Sequence, residues 1–352
     1  MEIPMNRASL RTSLAATTLG LAAALLTGCS TGSTSGDAAA DEPTATTSAE
    51  ADAFPVTIEH AFGETTIEEE PTRVATLGWT DQDHALALGV VPVGATKLTW
   101  GGNDAGSSDW FDAALEEAGA EAPVRYDDSD GAPIDAVAQL EPDVILATNS
   151  GITEAEYTKL SKIAPVVAYP EFPWTTPWQT SLEMVGEALG RSDLAAEVTD
   201  ETEAAIATAK QDNPELDGAS LIYGYLTPAD LSTVGIYAPA DPRVALLRDF
   251  GMVDAPAVDG AIKEGEFYGT VSAERASELD SDVLLTWVEK PGDAQTFVDD
   301  NLLGQIPAIA SGHFYAESSK EVAMASTNPT PLSIPVIIDT FIPKVVEAVN
   351  GA

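Results

Sequence analysis

The chain has 352 residues, 44% of them hydrophobic, and carries 57 acidic side chains against 16 Lys and Arg, a formal charge of -41. That balance argues against a nucleic-acid partner, whose phosphates need a basic face, and disfavours electrostatic docking on anionic lipid. A single cysteine excludes an intrachain disulfide.

The N-terminal segment is the first feature along the chain. Arg7 and Arg11 precede a run, residues 14–26, that is apolar apart from Thr17, Thr18 and Gly20. A basic segment followed by an apolar stretch of this length has the form of a secretory signal. It is too short for a transmembrane helix, which needs about 20 apolar residues. It ends in Leu26-Thr27-Gly28-Cys29, which resembles a bacterial lipobox, where cleavage ahead of the cysteine frees it for acylation. Residues 1–28 are therefore expected to be a lipoprotein signal peptide and Cys29 a lipid anchor. Residues 29–53 are mostly Ser, Thr, Ala, Gly and acids, a composition expected of a flexible tether.

Residues 56–60 and 64–67 alternate around Ala61-Phe62-Gly63 and predict a hairpin. Residues 73–77 predict a strand and 81–88 a helix closed by Gly89. The rhythm continues with a strand at 91–95, helices at 110–118 and 134–140, a strand at 143–148, a helix at 154–162 and a strand at 166–169. Such alternation implies parallel βαβ units. From 178 to 213 there is no strand candidate. Leu182, Val185, Leu189, Leu194, Val198 and Ile206 fall at helical spacing and predict a connecting helix, with Gly190-Arg191-Ser192-Asp193 placed to kink or recap it. Strands are then expected at 220–225, 232–236 and 282–287, and helices at 242–250, 272–279 and 293–301. A closing helix is expected at 334–349, interrupted near Pro343.

The two halves repeat one pattern. Residues 134–146 and 273–285 each read as a helix, the motif L-x-x-D-V and a strand. Leu77-Gly78-Trp79 with Leu88-Gly89, and Gly235-Ile236-Tyr237 with Phe250-Gly251, each read as a strand, an aromatic at its carboxyl end and a helix closed by Gly. Two echoes in the same order point to an α/β fold of two Rossmann-like lobes, 54–177 and 214–352, joined by a single long helix, with a ligand cleft between the lobes.

In open α/β sheets, ligands bind beyond the carboxyl ends of the strands. Trp79, Trp174, Trp178, Tyr237 and Trp287 fall at such positions, Tyr225 and Tyr268 lie near others, and Trp100 opens the Gly-rich loop 100–108. Facing aromatic rims make a cleft for a sizeable, partly apolar ligand. Arg243, after Tyr237-Ala-Pro-Ala-Asp-Pro, is placed either to hold a ligand oxygen or to pair with Asp241 or Asp249. The chain lacks G-x-S-x-G, G-x-x-x-x-G-K-[ST], H-E-x-x-H and C-x-x-C. An extracytoplasmic hydrolase on this scaffold is disfavoured accordingly. His60, His84 and His313 show no metal-ligand spacing and read as surface or capping residues.

The stretches "VTIEHAFGETTIEEEPTRVATLGW", "DHALALGVVPVGA", "LEPDVILATNSGITEAEYTKLSKIAPVVAY", "WQTSLEMVGEALGR" and "LSIPVIIDTFIPKVV" resemble the iron-siderophore solute-binding lipoproteins of bacterial ABC importers. These are class III, iron/cobalamin-type binding proteins, and the resemblance covers nearly all of 54–349. It implies a non-enzymatic, monomeric, extracytoplasmic protein, anchored to the cell membrane, that binds a ferric siderophore in a shallow cleft and delivers it to a permease. It also implies that the chelator supplies the iron ligands, so no cofactor of the protein's own is expected. Haem or cobalamin is the alternative cargo. By motif, the family's acidic permease-docking residues fall on Asp135 and Glu274. Glu is usual at the first position, and Asp135 is one methylene shorter. An acid in a first helical turn also complements the helix dipole, an effect of about 0.3–1 kcal/mol. Few basic residues in the cleft loops and a negative overall field favour a hydroxamate or mixed siderophore over a highly anionic catecholate.

Overall fold

A computed structural model of the chain describes residues 48–263 and 266–351. The leader and the Cys29 anchor lie outside the described residues. Val56–His60 (β1) and Gly63–Ile67 (β2) form the expected antiparallel hairpin, with Val56 opposite Ile67. Five short strands follow: Val74–Thr76 (β3), Gly94–Thr96 (β4), Val124–Tyr126 (β5), Val144–Ala147 (β6) and Val166–Ala168 (β7). They form one sheet in the order β5-β4-β3-β6-β7, and every pairing is parallel. Every residue of β3, β6 and β7 is buried, as a sheet covered on both faces requires. The helices Asp81–Ala87 (α1), Asp109–Ala118 (α2), Ile134–Gln139 (α3) and Glu154–Leu160 (α4) make the crossovers. The edge strand β5 has no counterpart in the sequence reading. Val124 is exposed and Arg125 half-buried, so no apolar run marks it.

The second lobe holds Ser220–Thr227 (β8), Asp230–Tyr237 (β9), Val253–Asp254 (β10), Tyr268–Ser272 (β11), Val283–Trp287 (β12) and Phe314–Glu317 (β13). Their order is β11-β9-β8-β12-β13, with β10 against the start of β8. This sheet is mixed: β9 runs antiparallel to both neighbours. Only Pro228 and Ala229 separate β8 from β9, too few residues for the crossover that a parallel pair needs. Pro242–Asp249 (α7), Asp293–Asp299 (α8), Pro307–Ser311 (α9) and Lys320–Thr327 (α10) complete the lobe. Residues 272–279, expected as an α-helix, form a 3-10 run over Ala273–Glu278. The closing helix passes through a π turn, Ile337–Phe341, before Ile342–Val349. Pro343 has no N–H, and its ring crowds the carbonyl four residues back, at Asp339 inside the π turn.

The connecting stretch is two helices rather than one. Trp178–Leu189 (α5) ends at Gly190, which sits in the left-handed region (φ 66°), and Ser192–Asp212 (α6) starts anew. The α5 helix packs on α1 and β1 of the first lobe, so α6 alone runs on to the second lobe. Its 21 residues span about 31 Å at 1.5 Å each.

The L-x-x-D-V echo has a physical cause. The Asp143 carboxylate accepts hydrogen bonds from Thr72 N (2.8 Å), Thr72 Oγ1 (2.9 Å) and Arg73 N (2.9 Å), tying the start of β6 to the start of β3. In the other lobe Asp282 accepts from Ser220 N (2.8 Å) and Ser220 Oγ (2.7 Å), tying the start of β12 to the start of β8. Above these staples one apolar cluster runs from Ile58 and Val74 through Leu182 and Ile206 to Leu221, Val283 and Phe341, joining both lobes.

Two polar features also tie the chain together. The first turn of α1 is buried. Asp81 accepts from Thr148 N (2.9 Å) and Thr148 Oγ1 (2.6 Å), and Asp83 accepts from Trp110 Nε1 (2.7 Å) and from Thr330 Oγ1 (2.8 Å) across 247 positions of sequence. His84 corrects the surface reading: it is fully buried, and neither ring nitrogen has a hydrogen-bond partner among the described residues. His60 is buried as well, against Thr65. Secondly, the last residues of the expected tether are docked. Glu50 N donates to Gly190 O (2.8 Å), and Glu50 Oε1 accepts from Asp193 N (2.7 Å), a cap that Arg191 does not provide for α6. Phe54 lies so close to Gly190 that a Cβ there would stand 2.6 Å from its ring.

Glu50→Ala should therefore cost about 1 kcal/mol, the usual loss for a helix cap. It should also open residues 48–54 to limited proteolysis while the rest of the chain resists. Unchanged cleavage would show that the carboxylate does not hold the segment. A second expectation concerns pH. Burial pushes the Asp81 and Asp83 carboxyls up to about 6 and the His84 imidazole down to about 3. A raised carboxyl contributes stability below its unfolded value near 3.8 and loses that contribution as pH rises through 6. The lowered histidine acts in the opposite sense, weakening the fold as pH falls below 6.5. Denaturation midpoints of wild type and Asp81→Asn should diverge between pH 4 and 6 and run parallel above, by roughly 3 kcal/mol in the variant's favour. Curves parallel throughout would remove Asp81 as the titrating group.

Candidate ligand-binding site

In each lobe the strand order reverses beside its central strand, and the crevice that results opens at the carboxyl ends. In the first lobe the reversal lies between β3 and β6. Gly78 approaches Asn149 there so closely that a Cβ would stand 2.4 Å from the Asn149 carbonyl oxygen. Beside this contact is a hollow of about 150 Å³, with Leu77, Ser150, Ile152 and Trp174 among its walls. Trp174 reaches it from the loop after β7 in the left-handed region (φ 63°), its indole over Gly151, where a Cβ would meet Nε1 at 2.5 Å. Half-buried Asp128 also faces the hollow, and burial pushes its carboxyl up.

In the second lobe the reversal lies between β8 and β12, and aromatic rings line it. Trp287 ends β12 with its ring 5.9 Å from Tyr225 of β8. Register sets a second row: Tyr268 of β11 stands opposite Tyr237 of β9, with centroids 6.5 Å apart, and Tyr223 of β8 lies 5.8 Å from Tyr237. Tyr225 and Tyr268 are 40% and 42% exposed, so large ring faces are open to a ligand. Gly235 clears the space: a Cβ there would lie 2.9 Å from that of Tyr225.

Arg243 sits over this row, its guanidinium carbon 3.6 Å from the Tyr237 centroid and 5.9 Å from that of Tyr223. Its Nε donates to Asp241 Oδ1 at 2.6 Å, so of the two partners expected it takes Asp241 and not Asp249. Its terminal nitrogens have no hydrogen-bond partner among the described residues, and that edge stays free for a ligand oxygen. Arg125 of the first lobe is already engaged, donating to Gln82, Thr96 O and Ser107.

The lobes meet at Trp100. Its ring lies 4.9 Å from Trp287 in an edge arrangement, and its Nε1 donates to Glu289 Oε1 at 3.3 Å. Glu289 also pairs with Lys320 of α10 at 2.5 Å, and that hydrogen bond holds its carboxyl below the usual range. Gly101 packs against Met324 of α10, where a Cβ would stand 2.5 Å from the methionine.

The structure thus brings Trp100, Tyr225, Tyr237, Arg243, Tyr268 and Trp287 together and places Trp174 on the first-lobe hollow. Trp79 follows β3 but is half-buried against the large apolar cluster. Trp178 is corrected: it begins α5 but is only 3% exposed, buried within that cluster. Phe267, 36% exposed and 4.9 Å from Tyr268, extends the aromatic rim and was not singled out in the sequence. Its signal was the Phe-Tyr pair opening β11, a strand the pattern did not predict. Asp135 and Glu274 are exposed, each in the first turn of a helical segment that leaves the carboxyl-end edge of its own sheet. Among the described residues no group of three or more His, Cys, Asp or Glu side chains is placed to hold a metal ion.

A family model described as periplasmic binding protein matches residues 74–320. A probable siderophore-binding lipoprotein of Bacillus subtilis, YfiY, is 29% identical over 143 residues, 40% of this chain and only 41% of that relative's length. The ferric enterobactin-binding periplasmic protein FepB of Escherichia coli is 24% identical over 275 residues, covering 75% of this chain and 84% of FepB. The crystal structure of Streptococcus pneumoniae PiaA in complex with ferrichrome shares 36% identity at a TM-score of 0.80, covering 84% of this chain and 99% of that one. Holo-ViuP, at 17% identity and a TM-score of 0.66, shares the fold. With the family model spanning most of the chain and the two-lobed fold shared with these structures, the chain belongs to the periplasmic binding protein family.

Proposed function

We propose that the chain captures a ferric siderophore between its lobes and hands it to the permease of an ABC importer. It is a binding protein and not an enzyme. The observation that carries this reading is the aromatic wall at the second lobe's crevice, with the free edge of Arg243 beside it. Such a wall suits a large ligand with apolar faces and a few exposed oxygens. The cargo brings its own iron coordination, in keeping with a site built from rings and one guanidinium. PiaA, the relative solved with ferrichrome, supports a hydroxamate ligand. The chain works outside the cytoplasm, held to the membrane through lipid on Cys29, and presents Asp135 and Glu274 to basic residues of the permease.

Tryptophan quenching should follow a saturable titration with a ferric trihydroxamate, and the iron-free chelator should bind more weakly. Saturation by haem or cobalamin with no response to ferric hydroxamates would replace this reading. Trp287→Ala should weaken the ferric complex about tenfold or more with a nearly unchanged melting temperature. Trp178→Ala, in the core, should instead cost about 3–5 kcal/mol of stability.

Docking and anchoring are tested in cells. Asp135→Lys or Glu274→Lys should abolish uptake yet leave ligand affinity intact, because like charges facing each other at an interface cost several kcal/mol. Asp135→Glu should be tolerated. Normal transport by both Lys variants would remove these residues from docking. A mature chain without acyl mass on Cys29 would end the anchor reading.

A further inference from the structure

We propose that Asp241 sets the charge selectivity of the cleft, by pairing with the ligand-facing Arg243 so that the pair carries no net charge and an uncharged ferric complex is preferred over a polyanionic one. The inference rests on the siderophore reading above and concerns which charge class the site admits.

The geometry separates two properties that an arginine usually delivers together. Asp241 Oδ1 accepts from Arg243 Nε at 2.6 Å and from Arg243 N at 3.1 Å. The Asp241 side chain is 2% exposed and that of Arg243 11%, so this pair is little screened by water. Tyr237 lies under the guanidinium at 3.6 Å and fixes its plane. The fork therefore keeps its direction and its outer donors, while the Asp241 carboxylate balances its charge at the site. It can donate hydrogen bonds to a carbonyl or hydroxamate oxygen without offering a field to a trianion.

The same arrangement recurs at the other end of the aromatic wall. Lys320 is paired with Glu289 at 2.5 Å, beside Trp100 and Trp287. Arg243 and Lys320 are thus each matched by a carboxylate, and Lys290 shares Glu289 with Lys320, in a chain whose overall charge is already -41. An anionic complex meets a repulsive field, and at the Arg243 end of the wall the cation that would offset it is already matched by Asp241. A neutral complex meets ring faces and oriented donors.

Asp241 also caps α7, so the test must separate charge from capping. Asp241→Asn does this, since Asn caps a helix as well as Asp while removing the carboxylate charge. The probes are ferrichrome, a neutral ferric trihydroxamate, and a trianionic ferric tris-catecholate, each titrated by tryptophan quenching at low and at physiological salt. Wild type should favour the neutral complex. In Asp241→Asn the ratio of affinities should shift at least tenfold toward the trianion, and the shift should shrink at higher salt. The double variant Asp241→Asn with Arg243→Gln, which removes both charges, should bind both complexes more weakly but return the ratio to the wild-type value. A ratio that stays at the wild-type value in the single variant would overturn the proposal and leave Asp241 a helix cap. A wild type that binds neither ferric complex would overturn both this inference and the siderophore reading.

Discussion

Two aspartates set the frame on which everything else is placed. Asp143 and Asp282 each hold the amino end of one strand to the amino end of a central strand, β6 to β3 and β12 to β8. These are the strand pairs at which each sheet reverses direction. Once the amino ends are pinned, a few residues of parallel pairing determine what meets at the opposite ends. In one lobe that is Gly78 against Asn149, beside the Trp174 hollow. In the other it is Tyr225 against Trp287. The site is therefore a consequence of strand registration at the far side of each sheet.

The chemistry of the cleft is one of restraint. Its binding surface is mostly ring faces, which contribute through area and edge geometry and ask little of ligand charge. Its polar groups are already committed on one side: Arg243 to Asp241, Lys320 to Glu289, Arg125 to Gln82 and Ser107. What remains free is direction, the outer edge of a guanidinium held flat on Tyr237. This differs from an anion site, where uncompensated lysines and arginines would gather.

Much of this was legible in the sequence, and the failures have causes. The hairpin announced itself by alternation, and β3, β6, β7, β8 and β12 because buried strands of parallel pairs must be apolar on both faces. The L-x-x-D-V repeat was visible because a staple needs its aspartate at one position. Edge strands β5, β11 and β13 escaped because each is fixed by its neighbour and not by its own pattern. The break of the connector was foreshadowed by Gly190, but which lobe each helix joins depends on packing against α1. In the site, Trp287 ends β12 as the strand-end rule expects, and Trp100 lies in the Gly-rich loop. Tyr237 instead ends the antiparallel β9 and is placed level with Tyr223 by cross-strand register, which that rule does not describe. Trp178 satisfied the same rule and failed it, because a residue that opens a helix can turn inward as readily as outward. The buried turn at Asp81 to His84 reads as a polar surface by composition. Only the three-dimensional neighbours, Thr148, Trp110 and Thr330, make it interior.

The contact between Trp100 and Trp287 has an optical consequence. Two indoles 4.9 Å apart and inclined at 63° are close enough for their electronic transitions to couple. Coupled chromophores of fixed handedness give a paired band in circular dichroism that neither ring gives alone. One ring belongs to the Gly-rich loop of the first lobe and the other to the last residue of β12 in the second. Any motion that parts the lobes at this point erases the coupling. The molecule thus carries an unlabelled gauge of how its lobes meet, set in its own aromatic wall.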